Sequence, residues 1–122
     1  MRIFKNAWFQ RFARRENISD AALAETIARA VKGSVDTALG GNVIKQRIAR
    51  PRQGKSGGYR ALIVFRRGDR AFFVYGFAKK ERDHIRRDEL KVFKQAAKEL
   101  LALSDEQIEK LITVGGLTEV EL

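Results

Sequence analysis

Apolar residues recur along this chain with two different periods. Near the start, Trp8, Phe9 and Phe12 follow Phe4 at helical spacing and predict a first helix that fades near Asn17. Ser19 or Asp20 then caps a second helix, whose stripe is Leu23, Ile27, Ala30 and Val31 and whose end is Gly33. The two read as a helical hairpin. The same period returns late in the chain, where a third helix starts near Asp83 and carries Leu90, Phe93, Ala97, Leu100 and Leu101. Ser104 with Gln107 forms a capping box for a fourth helix, built on Ile108, Leu111 and Ile112 and closed by Gly115 and Gly116.

Between these helices the pattern changes to that of strands. The run LGGN at 39–42 is a turn, and Val43 to Ala49 alternates, with Ile44 and Ile48 on one face and Lys45 and Arg47 on the other. Pro51 ends that strand, and 49–58 (ARPRQGKSGG) reads as a basic, glycine-rich loop of about ten residues. Two strands follow, Tyr59 to Arg67 and Arg70 to Ala78, joined through Gly68 and Asp69 as a two-residue hairpin connection. With Arg67 opposite Arg70, Phe65 faces Phe72, Ile63 faces Val74, Arg60 faces Phe77 and Gly58 faces Lys79. Arg60, Phe77 and Lys79 then converge at the open end of the hairpin, beside the loop that carries Lys55. The tail LTEVEL alternates and supplies a short strand or clasp. The order predicts an α+β domain spanning 1–122: two N-terminal helices, an antiparallel β-sheet with a central hairpin and helices on one face, and two C-terminal helices.

Composition narrows the function. At 122 residues, 44% apolar and 33% charged, the chain has one ordered core and neither repeat nor linker. Without Cys and with a single His it lacks the usual zinc constellations, so neither a metal nor another cofactor is expected. No apolar run has the length of a membrane span. The basic, amphipathic first fifteen residues also fit a transit peptide, although Phe4, Trp8, Phe9 and Phe12 equally suit a core-facing stripe. Charge is distributed unevenly. From Lys45 to Arg87 there are 14 Lys and Arg against Asp69, Glu81 and Asp83, while the rest of the chain is nearly neutral. A positive block on a folded hairpin is a receptor for polyanion.

The chemistry that block can perform is cationic. The segment GKS at 54–56 lacks the earlier glycine and the strand-to-helix context of a phosphate-binding loop. Lys45, Arg47, Arg50, Arg52, Lys55, Arg60, Lys79, Lys80, Arg82 and Arg86 remain. Such groups cleave RNA without metal when the ribose 2′-hydroxyl loses its proton, the phosphorane is stabilised and the 5′-oxygen leaves protonated. Arg supplies a fixed fork to phosphate oxygens, and a Lys crowded by cations is more readily neutral. Tyr59, Tyr75 and Phe77 offer stacking faces for a splayed base. The plainer readings are a solvated sheet rim, or a surface for an acidic protein.

The run GGYRALIVFRRGDRAFFVYGFAKKERDHI resembles the signature hairpin of the RelE/HigB superfamily, the toxins of bacterial type II toxin–antitoxin modules: a Gly-Tyr-Arg strand, a tight turn, an apolar strand and a basic exit. The flanking helices and the additional C-terminal helix are similar to a longer HigB-like branch. The resemblance implies a RelE-like toxin domain, a cytoplasmic mRNA endoribonuclease acting on ribosome-bound mRNA and inhibiting translation. It also implies a cognate antitoxin of the helix-turn-helix type, with operator DNA contacted only through the complex and no membrane partner. By the same resemblance Arg60 contacts the scissile phosphate and Lys80 stabilises the same charge, while Arg52 and Lys55 are the basic residues before the hairpin. Where relatives place a tyrosine by the last helix, this chain has His84, Ile85, Arg86 and Arg87, so His84 is either a substitute acid or base or a helix cap. Lys79, Arg82 and Arg86, with Phe77 and Tyr59, complete the expected RNA contacts. The alternatives are a ParE-type gyrase inhibitor that shares the fold and a basic protein-binding module.

Overall fold

A computed structural model describes residues 1–50, 54–82 and 84–122, with side chains at all of these except 49, 50 and 54–57. Strand β1 (Arg2–Asn6) leads into helix α1 (Ala7–Arg15), and α2 (Asp20–Val31) follows. Next come β2 (Thr37–Gly40), β3 (Val43–Arg50), β4 (Gly54–Arg66) and β5 (Arg70–Ala78). Helices α3 (Arg87–Leu101) and α4 (Asp105–Thr113) precede a short β6 (Leu117–Glu119). The strands form one six-stranded sheet in the order β2-β3-β4-β5-β1-β6.

The α+β expectation holds, with two corrections. The sheet is mixed, because β1 runs parallel to β5, Phe4 lying opposite Phe72. The helices also cover both faces instead of one. Residues 61–65 of β4 and 71–78 of β5 are apolar or aromatic at every position, as buried central strands are, so neither face of the sheet centre can be left to water. One layer packs Phe9, Phe12, Leu23 and Ile27 of α1 and α2 on Ile44, Ile63 and Phe73. The other packs Ala97, Leu101 and Ile108 of α3 and α4 on Phe4, Leu62, Val64 and Phe72. Each large side chain so buried contributes roughly 1.5–3 kcal/mol. Among the described residues no helix is long and apolar enough to cross a membrane.

Local chemistry explains most boundaries. Asn6 and Ser19 cap α1 and α2 by accepting from the Phe9 and Ala22 N–H groups. Val31, expected in the α2 stripe, is instead 39% exposed as the last residue of the helix. Ser104 and Gln107 form the capping box of α4. Helix α3 starts four residues later than expected, at Arg87, and Asp83 lies outside the described residues. Between β2 and β3, Gly41 and Asn42 take φ of 61° and 63°, the pair of positive angles a primed hairpin turn needs. The ten-residue loop expected at 49–58 is largely strand: Arg50 pairs with Gly54, leaving only 51–53 outside the description.

The β4–β5 register departs from expectation twice, and the departures cancel. The connection has three residues, with Asp69 N–H donating to the Arg66 carbonyl at 3.0 Å, so Arg66 rather than Arg67 faces Arg70 and Val64 faces Phe72. A bulge then places Ile63 opposite Phe73 but Leu62 opposite Tyr75, making Val74 the extra residue. Beyond it Arg60 faces Phe77, and the Lys79 N–H donates to the Gly58 carbonyl.

Gly76 is the tightest point of the α1 layer, since a Cβ there would lie 2.5 Å from a ring carbon of Phe12. Gly76→Ala is expected to cost about 1–3 kcal/mol through overpacking. Urea unfolding of the two proteins checks this, the midpoint falling with little change in slope.

Candidate functional site

The sheet carries its cations where the α3 layer stops. Register rows on that face read Val43–Val64–Phe72, then Lys45–Leu62–Tyr75, then Arg47–Arg60–Phe77. The first is apolar and lies in the core; the last holds two guanidinium groups beside one ring. Arg47 is partly committed: its N–H donates to Asp36 Oδ2 at 2.7 Å and its Nη2 to Oδ1 at 3.4 Å. Burial would raise the Asp36 carboxyl, but the Arg47 N–H and the Arg47 and Arg29 charges hold it below the ordinary range. Arg60 is half-buried, with Nη1 donating to the Tyr59 carbonyl at 3.3 Å.

After β5 the chain turns sharply. The Glu81 and Arg82 N–H groups both donate to the Ala78 carbonyl, at 3.0 and 3.3 Å, which presents Lys79 and Lys80 at the bend. Both lysines are exposed and make no ion pair among the described residues. Arg82 faces the other way. Its Nη2 and Nη1 donate to Glu89 Oε1 and Oε2 at 2.6 and 3.1 Å, and Nη1 also donates to the Tyr75 hydroxyl at 3.3 Å. Nε and Nη2 reach the His84 carbonyl at 3.2 and 2.8 Å. The guanidinium carbon stands 5.5 Å from the Phe77 ring centre and 5.9 Å from that of Tyr75. Glu89 in turn accepts from the Arg86 N–H at 2.9 Å, closing the first turn of α3. These bonds, the Arg82 fork first, hold the Glu89 carboxyl down at about 2 and bind the Arg82 proton more firmly.

Of the expected site residues, Arg60, Phe77, Lys79 and Lys80 are brought to one end of the sheet, and exposed His84 lies close in sequence. Three expectations are corrected. Tyr59 is 2% exposed, with its ring edge-on to Phe12 and its hydroxyl donating to Glu16 at 2.8 Å, so it serves the core. Phe77 is 4% exposed, packed near Tyr75 and under Arg82, and offers no stacking face. Arg82 is spent on Glu89 and is not an outward contact. His84 does not cap α3, a position Arg86 occupies. The Arg86 side chain stays mostly exposed, touching Asp88 at 3.2 Å. Arg52 lies outside the described residues, and Lys55 falls on β4 at a position whose side chain does too.

Sequence reasoning missed the Arg82–Glu89 fork. Seven residues separate the pair across an irregular stretch, so no helical or strand spacing marks it. Tyr75 is also more than a candidate platform, since it is half-buried among Trp8, Phe93 and Phe77 at ring distances of 4.6, 5.6 and 6.0 Å. The assembled groups suit the binding of a phosphate backbone. Exposed cations supply charge and a guanidinium supplies directed donors.

The family model for the RelE toxin of the RelE/RelB toxin–antitoxin system matches residues 1–120. No curated protein matches the chain.

Because the folded Glu89 carboxyl lies below its unfolded value, the fork contributes fully above about pH 4.5 and is lost as pH falls toward about 2. Carbon-detected NMR should place the Glu89 midpoint near 2 in the native protein, and Arg82→Ala should move it up toward the ordinary carboxylate range. An unshifted midpoint in the native protein would show that the fork does not form in solution.

Proposed function

Because the chain belongs to the RelE toxin family, we propose that it is the toxin of a type II toxin–antitoxin module and an endoribonuclease that cuts mRNA on the ribosome. Toxins of this family are generally endoribonucleases, and family membership implies a cognate antitoxin. The observation that carries the reading is the contrast among the cations. Arg47, Arg66, Arg70, Arg82 and, at a mostly exposed position, Arg86 all engage acidic partners. Lys79 and Lys80 are left without an ion pair among the described residues at the end of the sheet where Arg60 emerges. Two exposed ammonium groups beside a half-buried guanidinium suit a phosphodiester and have no use in a folded core.

In this reading Arg60 directs N–H donors at the non-bridging oxygens of the scissile phosphate and Lys80 adds charge as the phosphorane forms. His84 is the group available either to take the 2′-hydroxyl proton or to protonate the leaving 5′-oxygen, and because in-line geometry puts those oxygens on opposite sides of phosphorus, a nearby ammonium or a ribosomal group serves the other. Lys79, Arg86, Lys55 and Arg52 hold the flanking backbone. With a single imidazole in the sequence, the protein relies on the ribosome to align the 2′-oxygen for in-line attack, and it acts in the cytoplasm where ribosomes are. The resemblance of the flanking and C-terminal helices to a longer HigB-like branch is the ground for placing the chain in that branch. The antitoxin is expected to be of the helix-turn-helix type, to cover the cationic end, and to make the complex's contacts with operator DNA.

Induced expression in a bacterial host is expected to arrest growth, and Arg60→Ala or Lys80→Ala to relieve it through roughly a 10²–10³-fold loss of rate. Arg66→Ala, at the hairpin connection, should leave the arrest intact. Growth counts and pulse-labelled protein synthesis check this; arrest by wild type and both variants alike would reject the assignment.

A further inference from the structure

We infer that Arg82, clamped by Glu89, is a positioning residue that fixes the Lys80 turn and His84 relative to Arg60; this rests on the nuclease reading above. The last cross-strand bond of the hairpin is Lys79 N–H to the Gly58 carbonyl, and regular structure resumes only at Arg87. Across that interval the turn bonds to the Ala78 carbonyl hold one end, and Arg82 with Glu89 holds the other. Arg82 stands two residues from Lys80 and two from His84, whose carbonyl takes two of its N–H groups. Its plane also lies by Phe77, the cross-strand neighbour of Arg60. The path from Arg60 therefore runs across the sheet to its register partner Phe77, from the Phe77 ring to Arg82, and on to the first turn of α3. A fork of five N–H donors satisfied at three different partners sets distance and angle together, which a point charge on a flexible stem cannot.

The arrangement separates two roles of opposite sign. Were Arg82 an RNA contact, Glu89 would be its competitor, and neutralising Glu89 would release a guanidinium and add positive charge. For a positioning residue the same change removes the clamp. Single-turnover cleavage of mRNA on programmed ribosomes by the full-length protein distinguishes them. Glu89→Gln and Arg82→Lys are both expected to lower the maximal cleavage rate about 10- to 100-fold, with the half-saturating toxin concentration changed less than about twofold. Glu89→Asp should recover part of the rate. A Glu89→Gln protein that cleaves as fast as wild type or faster, or one whose loss lies only in half-saturation, overturns the inference. Amide hydrogen exchange on the same proteins needs no cleavage. Faster exchange at Glu81 and Arg82 in Glu89→Gln, with an unchanged melting temperature, supports the clamp even where wild type fails to cut and the nuclease reading falls; unchanged exchange overturns the clamp.

Discussion

Strands β4 and β5 are apolar on both faces, and burying both is the constraint on which the rest of this architecture depends. Ala61, Leu62, Ile63, Val64, Phe72 and Phe73 are fully enclosed. A cation among them would carry a desolvation cost that only a buried partner could offset. The helices must therefore divide between the two faces. On β4 and β5 positive charge emerges where the enclosed segments end, at Arg60 at one end and at Arg66 and Arg70 at the other. The site lies at the Arg60 end because the core excludes it from the middle.

The same constraint shrinks the positive block. Read along the sequence, Lys45 to Arg87 is a continuous basic region. In the fold, Arg70 reaches Asp105 and the Leu103 carbonyl and so ties α4 to the sheet, Arg47 meets Asp36, and Arg82 meets Glu89. Arg67 donates to the Val31 carbonyl at the end of α2. These pairs are mostly exposed and individually weak, roughly 0–1 kcal/mol each, but they remove charge from the surface that a polyanion meets. Lys79 and Lys80 stay exposed beside Arg60 at that end of the sheet, which supports the proposed phosphate site there.

The elements with strong periodicity were legible in advance: four helices, the strand from Val43 and the central hairpin. The rest was hidden for identifiable reasons. Strand β1 is five residues that run into helix α1, so Phe4 reads as part of the helical stripe; only the parallel pairing with β5 reveals otherwise. Strand β2 is four residues ending in glycine, too short for alternation to register. Alternation also cannot say that both faces of β4 and β5 are covered, since a continuous apolar run fits either outcome. Of the site, Arg60, Phe77 and Lys79 were placed together from the hairpin alone, because the three-residue connection and the bulge at Val74 offset each other. The roles of Tyr59, Phe77 and Arg82 escape the sequence for one reason: residue type suggests stacking or anion binding, whereas burial and partners are decided by elements distant in sequence, α1 for Tyr59 and α3 for Arg82.

The central claim is that cations at the end of the hairpin promote attack of a ribose 2′-oxygen on the adjacent phosphate when the ribosome aligns them. The most direct measurement uses purified protein, ribosomes programmed with a defined mRNA, and chelator to remove divalent metal from the free protein beforehand. Cleaved ends are analysed by mass spectrometry for native mRNA, for the same mRNA with a single 2′-deoxy sugar at the cut, and for the mRNA free of ribosomes. The account predicts a 2′,3′-cyclic phosphate and a 5′-hydroxyl from the first, and little or no cut at that position in the second or third. Cleavage of the deoxy substrate, a 5′-phosphate product, or equal cutting of free RNA would contradict it.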